Sequence, residues 1–109
     1  MAATPESKVK DKVKKILKKW GAYYAMPIGT GFGHAGVPDF LVCFEGKFIG
    51  IECKANGGKL TALQRSNLLE IAKARGFFMV INETNVQDLD GFLAKLDSTG
   101  TALSFGVDE

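Results

Sequence analysis

Near the N-terminus apolar residues recur at helical spacing. Val9, Val13, Ile16, Leu17 and Trp20 stand at i, i+4, i+7, i+8 and i+11, one continuous stripe on an α-helix. Thr4 suits the N-cap, Pro5 the first helical position and Glu6 the positive end of the helix dipole, while Gly21 closes the segment. The pattern then changes. Residues 22–28, with Tyr23 and Tyr24, read as a strand that ends near Pro27. Residues 40–44 and 48–53 are runs rich in Phe, Ile, Val and Cys around a Glu45-Gly46 turn, the signature of a β-hairpin.

Downstream, Thr61 opens a second helix, with Leu63, Leu68, Ile71 and Ala72 as its buried face and Arg75-Gly76 as its end. Residues 77–82 are continuously apolar, so a fourth strand is expected in the interior of the sheet. Thr84 or Asn85 starts a last helix that turns Val86, Leu89, Phe92, Leu93 and Leu96 to one side. Residues 97–109 carry weak signals, with a short strand at 102–105. The order helix, three strands, helix, strand, helix predicts an α/β domain with a mixed four-stranded sheet flanked by helices on both faces.

The hairpin has a chemical consequence. If Glu45 and Gly46 form a two-residue loop, Phe44 faces Lys47, and counting back along both strands sets Asp39 opposite Glu52. Alternation then puts Lys54 on the face that carries Glu52. One extra turn residue would separate the two acids, and a bulge would restore them. Glu52 and Lys54 stand in an otherwise apolar strand, where an unpaired charge costs several kcal/mol, so they need a cleft, a metal or each other. Adjacent carboxylates repel unless a divalent cation lies between them, and hard oxygen donors suit Mg²⁺ or Mn²⁺. Such an ion lowers the pKa of a water and neutralises a phosphate, while a neighbouring lysine adds a fixed positive charge.

Composition bounds this picture. With 109 residues and 46% hydrophobic content, the chain makes one domain with one core. No stretch is apolar enough for a membrane span or a signal peptide, so a soluble intracellular protein is expected. Cys43 and Cys53 fall on opposite faces of neighbouring strands, which predicts free thiols, and no second pair or suitably spaced histidine makes them metal ligands. Net charge is +2, but residues 1–77 hold 13 basic and 6 acidic side chains and residues 78–109 hold 1 and 6. A basic face for phosphates follows, much of it the seven lysines of the first helix. Lys8 and Lys15 among them, together with His34, Lys59 and Arg65, are the expected DNA contacts.

Four glycines within residues 29–36 precede Asp39 and suit a substrate rim that lets the backbone approach a phosphate chain. Gly31, Gly33 and Gly36 match a dinucleotide fingerprint, but a strand follows rather than the helix that would hold a pyrophosphate, so the fingerprint reading is rejected. Gln64 has two readings. Three residues after Thr61 it completes a capping box, and a glutamine so engaged is expected not to orient a nucleophile as well.

Pro38-Asp39 followed by Glu52-Cys53-Lys54 resembles the PD-(D/E)XK nuclease motif. With Gly36-Val37 before it and the segment from Ala55 to Thr61 and Gln64 after it, the pattern resembles the VRR-NUC (virus-type replication-repair nuclease) domain in its small stand-alone form. The similarity covers roughly residues 6–96, leaving 97–109 as a tail. It implies a restriction-endonuclease-like core in which Asp39, Glu52 and the backbone carbonyl of Cys53 bind the metal, Lys54 is catalytic and Gln64 lies beside them. Glu6 is the counterpart of a first-helix glutamate that often joins the metal site.

The resulting expectation is a Mg²⁺- or Mn²⁺-dependent endonuclease acting on branched or structured DNA, such as Holliday junctions or flaps. The resemblance further implies a homodimer and a cytoplasmic setting in a bacterium or a phage-infected host. Two alternatives stand beside it: a noncatalytic DNA-binding module that keeps the basic face, and, more remotely, a nucleotide-binding protein that uses the glycine loop.

Overall fold

The computed structural model describes residues 3–28 and 35–97. Helix α1 (Pro5–Trp20) starts where Thr4 Oγ1 accepts the Ser7 N–H at 3.1 Å. It ends in a Schellman arrangement: Gly21 takes φ +69°, its N–H donates to Lys18 O, and the Ala22 N–H donates to Leu17 O. Val9, Val13 and Leu17 are buried, with Ile16 and Trp20 partly buried beside them, as the stripe requires.

Strands β1 (Tyr23–Ala25), β2 (Phe40–Phe44), β3 (Lys47–Cys53) and β4 (Phe77–Ile81) form one mixed sheet in that order. β1, β2 and β3 are antiparallel neighbours, and β4 runs parallel to β3. Helix α2 (Ala62–Lys73) connects β3 to β4, and α3 (Gln87–Leu96) follows β4. The hairpin register is the expected one, from Phe44 against Lys47 to Phe40 against Ile51. Glu45 and Gly46 both adopt positive φ, 53° and 74°, a two-residue turn whose twist matches its strands.

Alternation along β2 and β3 sends Phe40, Val42, Phe44, Ile49, Ile51 and Cys53 to one face, where they join α1 and α3 in the core. α2 covers the other face, and Ile71 fits over Gly50 so closely that a Cβ there would lie 2.6 Å from its Cδ1. The domain is thus an α/β fold with helices on both sides of the sheet. No helix among the described residues is long and apolar enough to cross a membrane. Both cysteines are free thiols, Cys43 exposed and Cys53 buried.

Several expectations are corrected. β1 spans residues 23–25 rather than 22–28, because it is an edge strand and Pro27 offers no amide for a longer ladder. Among the described strands β4 lies at the opposite edge rather than in the interior, and Phe77 and Phe78 are 37% and 40% exposed. Its unbroken apolar run arises instead from contact on both faces: Phe77 meets Phe92 of α3 while α2 lies behind the strand. In α2 only Leu68 is buried, whereas Leu63 and Ala72 are exposed, since one 12-residue helix covers only part of that face. The helix ends at Lys73, and Arg75 rather than Gly76 takes the left-handed conformation, at φ 73°. α3 begins at Gln87, later than expected, because Asn82 and Asn85 close a turn first. Asn85 Oδ1 accepts the Asn82 N–H at 2.8 Å, and Asn82 Oδ1 accepts the Thr84 N–H at 2.8 Å. The expected strand at 102–105 lies outside the described residues.

Candidate active site

The open end of the β2–β3 hairpin gathers side chains from four parts of the chain. Asp39 precedes β2, Glu52 is the penultimate residue of β3 and Lys54 follows it. α1 contributes Lys10 and Glu6, and α2 contributes Gln64 from its first turn. Local sequence sets where these helices begin, Thr4 capping α1 and Thr61 capping α2, so that Glu6 and Gln64 fall in first turns.

Glu52 is the one buried charged residue among those described, at 3% exposure. Gln64 Nε2 donates to its Oε2 at 3.2 Å, and Lys54 Nζ stands 3.9 Å from the same oxygen. Burial pushes the Glu52 carboxyl up to about 7, the negative charge of Asp39 and a hydrogen bond between the two acids add to this, and Lys54 opposes it.

Asp39 is held from two sides. Its Oδ2 accepts the Cys53 N–H at 2.8 Å, which ties the segment before β2 to the end of β3. Its Oδ1 faces Lys10 Nζ at 3.6 Å, and the same ammonium lies 3.4 Å from Glu6 Oε2. Burial is the largest single influence on the Lys10 ammonium and lowers it, but Asp39 and Glu6 together outweigh that effect and hold it above its ordinary value. Glu6 therefore reaches the site through Lys10. The Cys53 thiol belongs to the core, and burial raises it to about 12, so this residue faces the site with its backbone alone.

Gln64 resolves its two readings by using both ends of one amide. Thr61 Oγ1 accepts the Gln64 N–H at 3.1 Å, and Gln64 Oε1 accepts the Thr61 N–H at 2.9 Å, a complete capping box. An oxygen bound to that N–H leaves the NH₂ directed at the carboxylate. Capping and contact with the site therefore do not exclude each other, since the amide oxygen serves the cap and the NH₂ serves Glu52.

The segment that carries Asp39 is locked to the same helix. Gly36 has φ +79°, and a Cβ there would lie 2.6 Å from the Leu63 carbonyl carbon and 2.9 Å from Gln64 N. Asn67 Nδ2 donates to Ala35 O at 2.9 Å. Across the site, the Lys54 N–H donates to Ile81 O at 2.9 Å, which fixes its backbone to β4.

The expected DNA contacts do not all converge. Lys59 and Arg65 are exposed on the turn before α2 and on its first turn. Lys8 and Lys15 are exposed too, but helical geometry sets them on the flank of α1 opposite Lys10. That is the flank whose Lys19 bonds Asp90 of α3 at 2.9 Å. His34 and the glycine loop at 29–34 lie outside the described residues. Lys10 was not singled out for the site from sequence. Its i, i+4 spacing from Glu6 was a visible signal for an ion pair, whereas its meeting with Asp39 depends on how α1 docks.

The donors available to a cation are hard oxygens of Asp39 and Glu52. Among the described residues no group of three or more His, Cys, Asp or Glu side chains is gathered in a metal-binding arrangement. A carboxylate pair of which Glu52 is buried and Asp39 part-exposed, with Lys10 and Lys54 at ion-pair distance, nevertheless has the hard-oxygen donors that suit a Mg²⁺ or Mn²⁺ ion completed by backbone and water. In comparisons with known proteins, no family model matches the chain and no curated protein matches it.

Proposed function

We propose that the chain is a metal-dependent DNA endonuclease with a PD-(D/E)XK core of the VRR-NUC kind. One observation carries this reading: Asp39, Glu52, Lys54 and Gln64 meet at one end of the sheet, with Glu52 buried and bonded by Gln64. Burying an acid without full charge compensation is costly, and a structural role does not call for it.

In this reading Asp39 and Glu52, with the Cys53 carbonyl, hold Mg²⁺ or Mn²⁺. The ion supplies a water of lowered pKa and neutralises charge on the scissile phosphate. Lys54 stabilises the anion that develops at phosphorus and orients the attacking water. Gln64 fixes the Glu52 rotamer, and the Cys53 N–H fixes that of Asp39. Lys59 and Arg65 bind the DNA backbone beside the cut. Branched DNA, a homodimer with two such sites and a cytoplasmic setting in a bacterium or infected host complete the proposal. Exposed Leu63, Leu69, Phe48 and Phe78 are apolar surface available to a second copy.

The test is cleavage of labelled duplex, single strand, flap and four-way junction by wild type and Lys54→Ala, with Mg²⁺, Mn²⁺ or EDTA. Metal-dependent cutting lost in Lys54→Ala supports the nuclease. Binding of every DNA without cutting under either metal favours the noncatalytic module instead. The observation on its side is that only two carboxylates converge without an intervening lysine.

A further inference from the structure

Lys10 is the one member of the site that answers one acid of the hairpin with a cation from another element. Its side chain is 29% exposed, and its ammonium bridges Asp39 Oδ1 at 3.6 Å and Glu6 Oε2 at 3.4 Å. Asp39 Oδ2 is committed to the Cys53 N–H at 2.8 Å. Among the described residues Oδ1 accepts no backbone hydrogen bond and is the freer oxygen for a cation, and Lys10 already stands on that side.

A divalent ion of the Mg²⁺ type binds a carboxylate oxygen at about 2.0–2.1 Å and repels an ammonium held against the same oxygen. Both cannot keep their best positions. We infer that Lys10 is the resident counter-cation of the carboxylate site, a positioning residue that neutralises Asp39 in the metal-free protein and gives up Oδ1 to a divalent ion. The inference rests on the metal-dependent reading proposed above. Glu6 is the tether in this exchange: its i, i+4 pair keeps the ammonium on α1 beside the site once Asp39 is released, where it faces the incoming phosphate.

The exchange is read by calorimetric titration of Mn²⁺ into wild type, Lys10→Met, Lys10→Arg and Asp39→Asn, with thermal melts of each protein before and after saturation. Removing a unit positive charge about 5–6 Å from a divalent ion tightens its binding by roughly tenfold at the dielectric of water, and by more where water is excluded. Lys10→Met is expected to bind Mn²⁺ tighter by that factor, to melt lower without metal and to gain more in Tm on saturation. Lys10→Arg is expected to stay near wild type, since it keeps the charge. Lys10→Gln serves as a second neutral variant if Lys10→Met folds poorly. Equal or weaker Mn²⁺ affinity in the neutral variants, with wild-type binding that depends on Asp39, overturns the role of Lys10 and leaves the metal site standing. Absence of Asp39-dependent Mn²⁺ binding in wild type overturns both.

Discussion

Gln64 Nε2 lies 3.2 Å from Glu52 Oε2 while Oε1 of the same amide accepts the Thr61 N–H at 2.9 Å. One side chain thus ends a helix and fixes a buried acid, so the start of α2 and the position of Glu52 are mechanically linked.

Two substitutions separate these duties. Gln64→Ala loses the reciprocal half of the capping box and leaves Glu52 without its donor, at a cost of about 1–3 kcal/mol in stability. Gln64→Glu keeps the cap, because a carboxylate accepts the same N–H, yet it sets a third negative charge against Glu52. Denaturant melts are expected to show a large loss for the alanine variant and, at acidic pH, a small one for the glutamate variant. DNA cleavage is expected to fall at least about tenfold in both, since each removes a group oriented at the site.

Glu52 makes metal-free stability fall as pH rises. Its folded value is raised from 4.5 to about 7, so the folded protein binds this proton more tightly than the unfolded chain. The stabilising contribution is complete below about 4.5, declines as pH passes through about 7 and is gone above it. Glu52→Gln is expected to remove this slope and to melt higher than wild type at alkaline pH, and, under the proposed nuclease reading, to lose cleavage with the carboxylate. Thermal melts across that range check the slope, and a wild-type slope equal to that of Glu52→Gln contradicts it.

Gly36 is expected to be the least replaceable glycine near the site. It shares positive φ with Gly21, at +79° and +69°, but a Cβ on Gly21 meets nothing within 4 Å while one on Gly36 runs into the backbone of Leu63 and Gln64. Gly21→Ala carries the left-handed penalty alone, about 1–2 kcal/mol. Gly36→Ala adds overpacking of roughly 1–3 kcal/mol and moves the Asp39 segment off α2. Paired denaturant unfolding of the two variants gives the difference directly.

Asp90 clamps α3 to α1 away from the site. Its Oδ1 accepts from Lys19 Nζ at 2.9 Å and Trp20 Nε1 at 2.8 Å, and these bonds hold its carboxyl below the ordinary 3.8. A depressed acid stabilises the fold above its unfolded value and loses that contribution as pH falls through the folded one. Asp90→Ala is therefore expected to lower Tm at neutral pH, with the difference from wild type shrinking in strong acid. Cleavage by the variant is expected to match wild type at temperatures where both are folded.

What the sequence by itself determined is local. The two-residue Glu45-Gly46 turn and period-two alternation set the hairpin register, so Asp39, Glu52 and Lys54 were legible as one cluster before any fold was known. Thr4, Pro5 and Gly21 bounded α1 for the same reason, since caps act within a turn of the residues they satisfy. Tertiary structure decided whatever depends on how elements dock. The apolar run of β4 reports cover on both faces and does not say whether a further strand lies beside it, so its place at the edge of the described sheet was not legible. Lys10 is one of seven lysines on α1, and only the rotation of that helix over the sheet brings this ammonium, rather than Lys8 or Lys15, to Asp39. Gln64 reaches Glu52 because Gly36 and Gly50 let α2 sit close against the sheet and the Asp39 segment, a fit between backbones far apart in sequence.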